Sequence, residues 1–254
     1  MQAARTFDDL VTEADTVSVD GWDFSWLDGR ASEQRPSWGY ARTMGERMAG
    51  ATAALDLQTG GGEVLAGVPR LPRLTVDTES WPPNVARATA LLRPLGAAVV
   101  VHQDGPLPFA DGTFDLVVSR HPVRVDWPEV ARVLRPGGGY LSQEVGPASV
   151  FELVEYFLGE QPPETRDSRN PDHAVAGATA AGLEVTGLRS ERLHTEFRDI
   201  GAVVYFLRKV IWMVPGFTVG QYRDRLRELH ERIQADGPFV ARTSRFLIEA
   251  RKTS

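Results

Sequence analysis

The sequence predicts an α/β protein built on a doubly wound, mostly parallel sheet. Three observations lead there. Between residues 52 and 190, short apolar runs alternate with helix-compatible segments, the pattern of a parallel sheet with right-handed crossovers. One run, Ala98-Val99-Val100-Val101, is apolar throughout, as suits a strand buried on both faces. Another, Ala54-Leu55-Asp56-Leu57, passes through Gln58-Thr59 into three consecutive glycines before a helix-compatible stretch opens at Glu63. Glycine has no Cβ and tolerates positive φ, so a ligand can approach the backbone closely there.

In chain order, residues 1–50 read as a helical prelude. It is interrupted by Trp22-Asp23-Phe24-Ser25-Trp26 and by Pro36-Ser37-Trp38-Gly39-Tyr40. Strands are predicted over Ala53–Leu57, Arg73–Asp77, Ala97–Val101, Phe114–Ser119, Tyr140–Val145 and Leu183–Leu188. Helices are predicted near Pro83–Leu92, Trp127–Leu134 and His173–Ala181. Residues 195–217 then turn aromatic and apolar. An amphipathic helix follows from Tyr222, with Leu226, Leu229 and Ile233 on one face, until Gly237-Pro238 stops it. A last strand is expected over residues 244–250. The expected organisation is a prelude over 1–50, a core over 51–194 and 240–254, and a cap insertion over 195–239. Prelude and insertion together would supply an aromatic lid.

The chain has 254 residues, enough for a substantial core, and a formal net charge of −6. That balance argues against a nucleic-acid substrate, because phosphate backbones are gripped by basic patches. The absence of cysteine excludes disulfides and thiolate metal sites, and suits a reducing compartment. The start of the chain is acidic and mixed rather than basic then apolar, and no apolar run approaches the roughly 20 residues of a membrane helix. A soluble, cytoplasmic protein with no membrane partner, monomeric or homodimeric, is expected. The five histidines are scattered without paired spacing to carboxylates, so no metal is expected.

Three cofactor classes compete for the glycine loop. A phosphate-gripping loop needs a lysine after the glycines, and none follows. In a dinucleotide fingerprint starting at Gly60 and Gly62 the third glycine position falls on Leu65, too large for close helix–strand packing. S-adenosylmethionine has no phosphates and needs no such loop. Downstream residues favour it. Thr78-Glu79-Ser80 closes the second strand with a carboxylate able to accept both ribose hydroxyls, Asp77 being the alternative acceptor, one strand-step away and pointing elsewhere. His102-Gln103-Asp104-Gly105 closes the third, where an aspartate can accept from an adenine amino group.

Two further segments complete the pattern: Leu107-Pro108-Phe109-Ala110-Asp111-Gly112-Thr113-Phe114-Asp115-Leu116-Val117, and Glu129-Val130-Ala131-Arg132-Val133-Leu134-Arg135-Pro136-Gly137-Gly138. With these motifs in order over residues 52–145, the chain resembles the class I S-adenosylmethionine-dependent methyltransferases. The resemblance implies a seven-stranded sheet, order 3-2-1-4-5-7-6 with the last strand antiparallel, and S-adenosylhomocysteine as product. Carried over by position, Asp56 and Gly60 line the methionine and ribose portion, and Glu79, with Ser80 beside it, binds the ribose diol. Asp104 and Gly105 flank the adenine, and Ser119 faces the cofactor's amino-acid end. The family usually has glycine where this chain has Gln58, whose side chain would crowd the methionine carboxylate or hydrogen-bond to it.

For catalysis, alignment of nucleophile, methyl and sulfur supplies much of the acceleration, and a hydroxyl acceptor also benefits from a general base. His121, just past the fourth strand at the sheet's carboxyl edge, is the first candidate for a base or substrate contact, and Glu144 the second. The expected acceptor is a small or medium apolar molecule, methylated on oxygen or nitrogen. Two alternatives are a non-catalytic cofactor-binding or regulatory module, and a different reaction at the same cofactor site.

Overall fold

A computed structural model describes residues 5–253. Its elements in order are α1 (Phe7–Thr16), β1 (Ala31–Glu33), α2 (Tyr40–Gly50), β2 (Ala53–Leu57), α3 (Glu63–Ala66), β3 (Leu74–Glu79), α4 (Pro82–Leu92), β4 (Ala98–Val101) and β5 (Phe114–Arg120). They continue with α5 (Trp127–Val133), β6 (Leu134–Val145), α6 (Phe151–Leu158), α7 (Pro163–Arg166), α8 (Pro171–Ala180), β7 (Leu183–Phe197), α9 (Ile200–Lys209), α10 (Arg223–Asp236) and β8 (Phe239–Lys252). Local chemistry sets many of the ends. Asp126 caps α5 by accepting from the Glu129 N–H, Asn170 caps α8 through Asp172, and Asp199 caps α9 through Ala202. Proline at the first turn of α4, α5 and α8 starts each helix where its missing N–H is harmless.

The strands form one α/β sheet in the order β1-β7-β8-β6-β5-β2-β3-β4. Strands β6, β5, β2, β3 and β4 pair parallel, and β8 runs antiparallel to β6. The expectation of seven strands is therefore corrected to eight, and the order gains β1 at one edge. Ala31–Glu33, inside the supposed helical prelude, pairs antiparallel with Thr195–Phe197 and adds an edge strand. Apart from that addition, the neighbours are those of the expected order.

The chain divides into two compact units, Met1–Arg35 with Ala148–Ser168 and Arg192–Ser244, and Pro36–Pro147 with Arg169–Glu191 and Arg245–Ser254. This redraws the expected division, and packing explains why. Trp38, Tyr40, Met44 and Met48 are buried with Ala54, Leu116, Val118 and Leu141 on one face of the parallel strands, so residues 36–50 belong with the core. Val150, Leu153 and Phe157 of the 148–168 segment instead join Phe7, Leu10, Val203 and Leu207 in the first unit's core. The opposite face of the second unit's strands packs Leu55, Val117 and Tyr140 against Val130, Ala174 and Ala178 of α5 and α8.

Two signature segments turn out to serve this architecture. Glu129 accepts the Leu107 N–H at 2.6 Å, while the Arg132 guanidinium donates to the Leu107 and Phe109 carbonyls and to Asp111. Asp115 accepts from Thr52 N–H, Thr52 Oγ1–H and Ala53 N–H, anchoring the entry to β2.

Candidate functional site

The carboxyl ends of β2, β3, β5 and β6 lie side by side in the second unit, and the expected site residues gather there. Residues paired across parallel strands point to the same face. Asp56 of β2 pairs with Asp77 of β3, and Glu79 follows two residues on, so three carboxyl groups share one face. Asp77 therefore points with Glu79 rather than away from it. All three are buried.

Their hydrogen bonding differs sharply. Glu79 accepts from Gly60 N–H (2.8 Å) and Asn84 Nδ2–H (3.4 Å) through one oxygen, and from Ser80 N–H (2.8 Å) and Trp81 N–H (3.0 Å) through the other. Such a carboxylate is fixed in place before any ligand arrives. Asp56 accepts from Thr59 Oγ1–H at 2.7 Å. Neither oxygen of Asp77 has a partner. Burial, and then the field of Glu79, pushes the Asp56 carboxyl up to about 7. Burial, Asp56 and Glu79 likewise push Asp77 up to about 7.

The glycine loop is shaped by its residues. Gly60 and Gly62 sit at φ 66° and 81°, and a Cβ on Gly62 would lie 2.8 Å from the Leu92 Cδ1. Thr59 N–H donates to the Thr78 carbonyl and Gln58 N–H to Thr78 Oγ1, which sews the loop to the end of β3. Gln58 also lies at positive φ, 58°. Its Nε2–H donates to the Arg124 carbonyl and its Oε1 accepts from Val123 N–H, both at 2.7 Å. Asp104 and Gly105 are exposed beyond β4. Gly105 and Pro106 form one side of a cleft of about 530 Å³, whose other side is Arg124 to Glu129.

Ser119 and Ser80 each have partners within the protein. Ser119 is buried, and its hydroxyl donates to the Leu57 carbonyl at 2.8 Å while its own carbonyl accepts from Tyr40 Oη–H. It ties β5 to β2 and has no hydrogen left to offer a ligand. Ser80 contributes its backbone N–H to Glu79, with an exposed side chain.

His121 is a second strained residue, at φ 57°, one position past β5. A chain of bonds fixes its imidazole. Trp38 Nε1–H donates to Gln143 Oε1 at 2.7 Å, so the Gln143 amide nitrogen faces His121 Nε2, 2.9 Å away. An amide nitrogen only donates, so Nε2 is the accepting nitrogen and the ring proton resides on Nδ1. Burial, with the positive fields of Arg120, Arg245 and Arg169, holds His121 well below the usual imidazole range. The ring is neutral, with its lone pair already engaged, which suits a hydrogen-bond donor better than a base. Glu144 on β6 differs. Its Oε1 is buried without a partner, and burial pushes the carboxyl up to about 7. A carboxyl poised near neutrality is what general-base work requires.

Sequence reasoning missed Trp38 and Gln143 as the groups that fix His121, and misjudged Asp77. The strand period of two, counted back from Glu79, held the signal for Asp77. Among the described residues no three His, Asp or Glu come together in a metal-holding group, and no helix is long and apolar enough to cross a membrane.

Residues 55–141 match the family model described as "Methyltransferase domain". No match is found among curated proteins. Among solved structures, one similar fold is a Bacillus halodurans protein carrying a provisional methyltransferase name: TM-score 0.61, 20% identity, 86% of this chain and 100% of that one. A geranyl diphosphate methyltransferase in complex with S-adenosylmethionine aligns with TM-score 0.51 at 14% identity over 84% of each chain. A [4+2]-cyclase aligns with TM-score 0.54 at 17% identity, over 98% of this chain and 97% of its own. Residues 55–141 are thus similar to a methyltransferase domain, and the fold is that of the Rossmann-like methyltransferases.

Proposed function

We propose that the protein binds S-adenosylmethionine against Asp56, Gly60, Asp77 and Glu79 and directs its methyl group to a small acceptor at oxygen or nitrogen. The observation that carries this proposal is the buried acidic face beside the glycine loop. Three carboxyl groups are packed together, one locked by four donors and one left with none. A cationic adenosyl group with a ribose diol suits both kinds of carboxyl. When bound, that group supplies an activated sulfonium methyl. The chain's own residues do the rest: Glu79 accepts from the ribose hydroxyls, and Asp56 and Asp77 face positive charge. The cleft bounded by Gly105 and Arg124 takes the adenine in this reading, with Asp104 next to Gly105 in the chain.

At the acceptor end, Glu144 takes the proton of a hydroxyl acceptor as the oxygen aligns, and the His121 Nδ1–H holds the acceptor in place. An amine acceptor needs the positioning alone. We keep the acceptor as a small or medium organic molecule with an apolar body, rather than a nucleic acid.

Calorimetry with S-adenosylmethionine and with S-adenosylhomocysteine tests the proposal. Binding of neither refutes it. A second reading, a different reaction at the same cofactor site, draws on the similarly folded [4+2]-cyclase and on the Gln58 amide reaching across the loop. Tight cofactor binding without methyl transfer to any metabolite fraction would favour that reading, or a purely binding role.

A further inference from the structure

Two non-glycine residues at the ends of adjacent strands occupy the left-handed region: Gln58 after β2 (φ 58°) and His121 after β5 (φ 57°). A residue with a Cβ is strained there and persists only where its surroundings over-determine it. For Gln58 the surroundings are explicit. Its side chain leaves the glycine loop, passes the ends of β2 and β5 where Leu57 pairs with Ser119, and is held at both amide atoms by the backbone of residues 123 and 124. One side chain thereby joins the loop that would hold the cofactor to the segment that carries His121 and walls the Arg124–Glu129 cleft. Alanine at 58 would keep the strained backbone and lose the bridge. Glycine would lose both.

We propose that Gln58 is a latch that sets cofactor affinity: its amide bridge must open before the amino-acid end of the adenosyl group can reach the glycine loop. The proposal rests on the cofactor reading above. Two neutral hydrogen bonds, less the strain they sustain, leave a closed form favoured by roughly three- to thirtyfold. Apparent affinity for the cofactor is reduced by the same factor, because only the open form binds.

The test compares the native protein with Gln58→Ala and Gln58→Gly in two measurements. Calorimetry gives the dissociation constant for S-adenosylhomocysteine, and hydrogen exchange follows the Val123 amide without ligand. Both variants are expected to bind about three- to thirtyfold tighter and to exchange Val123 faster. Glycine fits the φ at 58, so Gln58→Gly keeps the fold even if Gln58→Ala does not. Faster exchange with unchanged or weaker binding overturns the latch. Unchanged exchange overturns it as well, since the bridge then does not hold in solution. Binding by the variants but not by the native chain supports the latch in its strongest form. Binding by none of the three overturns the cofactor reading, and the latch with it.

Discussion

The orphaned carboxyl of Asp77 makes a quantitative prediction. Folded, it titrates near 7 because burial, Asp56 and Glu79 all oppose its charge. Unfolded, it titrates near 3.8. A carboxyl raised on folding binds more protons folded than unfolded, so its contribution to stability falls as pH rises between the two values. From pH 5 to pH 7 the unfolded group is ionised and the folded one largely protonated. At 1.36 kcal/mol per unit this segment costs about 2.5 kcal/mol. Asp56 competes for the same proton, so about 1–2.5 kcal/mol is expected for Asp77 alone. Asp77→Asn leaves an uncharged group of the same shape, equally without partners, and removes only the titration. Relative to the native protein, Asp77→Asn should thus gain stability steadily from pH 5 to pH 7. At about 2–4 °C per kcal/mol for a chain of this size, its Tm advantage should widen by about 2–10 °C. Thermal melts followed by circular dichroism at pH 5, 6, 7 and 8, both proteins free of ligand, read this directly. His121 and Glu144 titrate in both proteins and cancel in the difference. Melting temperatures that stay parallel across the series would show that Asp77 is paired or hydrated, and the acidic-face reasoning would fail.

Other predictions address the proposed reaction. Glu79→Ala should weaken S-adenosylhomocysteine binding by about 1–3 kcal/mol, since it removes a charged acceptor and strands four donors, with calorimetry as the check. Glu144→Gln should lower turnover of a hydroxyl acceptor by about 10²–10⁴-fold and abolish the rise in kcat near pH 7, the limb set by its ionisation. His121→Ala, by contrast, should act mainly on the acceptor's KM, because the ring's lone pair is engaged by Gln143. Steady-state kinetics across pH separate the two variants, and equal effects on kcat would return the base role to His121.

Much of the fold was legible because its signals are local. Strand β2 ends where the sequence reading placed it, and α4, α5 and α8 lie within two residues of the predicted helices, because apolar runs, prolines and capping side chains sit on the elements themselves. The eighth strand was not legible. Ala31-Ser32-Glu33 carries no alternating pattern and becomes a strand only because residues 195–197 offer it an edge. The candidate site divides the same way. Glu79 and Gly60 could be singled out from spacing, and the structure joins them by a hydrogen bond, whereas the bonding of Ser119 depends on the Leu57 carbonyl of a neighbouring strand. The state of His121 depends on Trp38, more than 80 positions away, acting through Gln143. Gln58 was visible as an unusual residue, but the bridge it makes needs the backbone of 123 and 124 brought alongside.

The same acidic face that weakens the free protein as pH rises should strengthen its hold on a cation, and the two effects share one pH window. Asp56 and Asp77 both titrate near 7 in the ligand-free chain. A positive charge placed beside them favours their ionised forms, so binding expels protons below that value and no longer does so above it. S-adenosylmethionine differs from S-adenosylhomocysteine by the methyl group and the positive charge on sulfur. The ratio of their affinities therefore isolates the charge from every contact the two molecules share. With one proton expelled, that ratio should move toward S-adenosylmethionine by up to about tenfold per unit between pH 6 and pH 7, then level off by pH 8. Asp77→Asn should flatten the rise without abolishing it, because Asp56 remains. A ratio constant across pH 6 to 8 in the native protein would mean that the sulfonium is not held against these carboxylates, and the placement of the methyl donor over β2 and β3 would have to be abandoned.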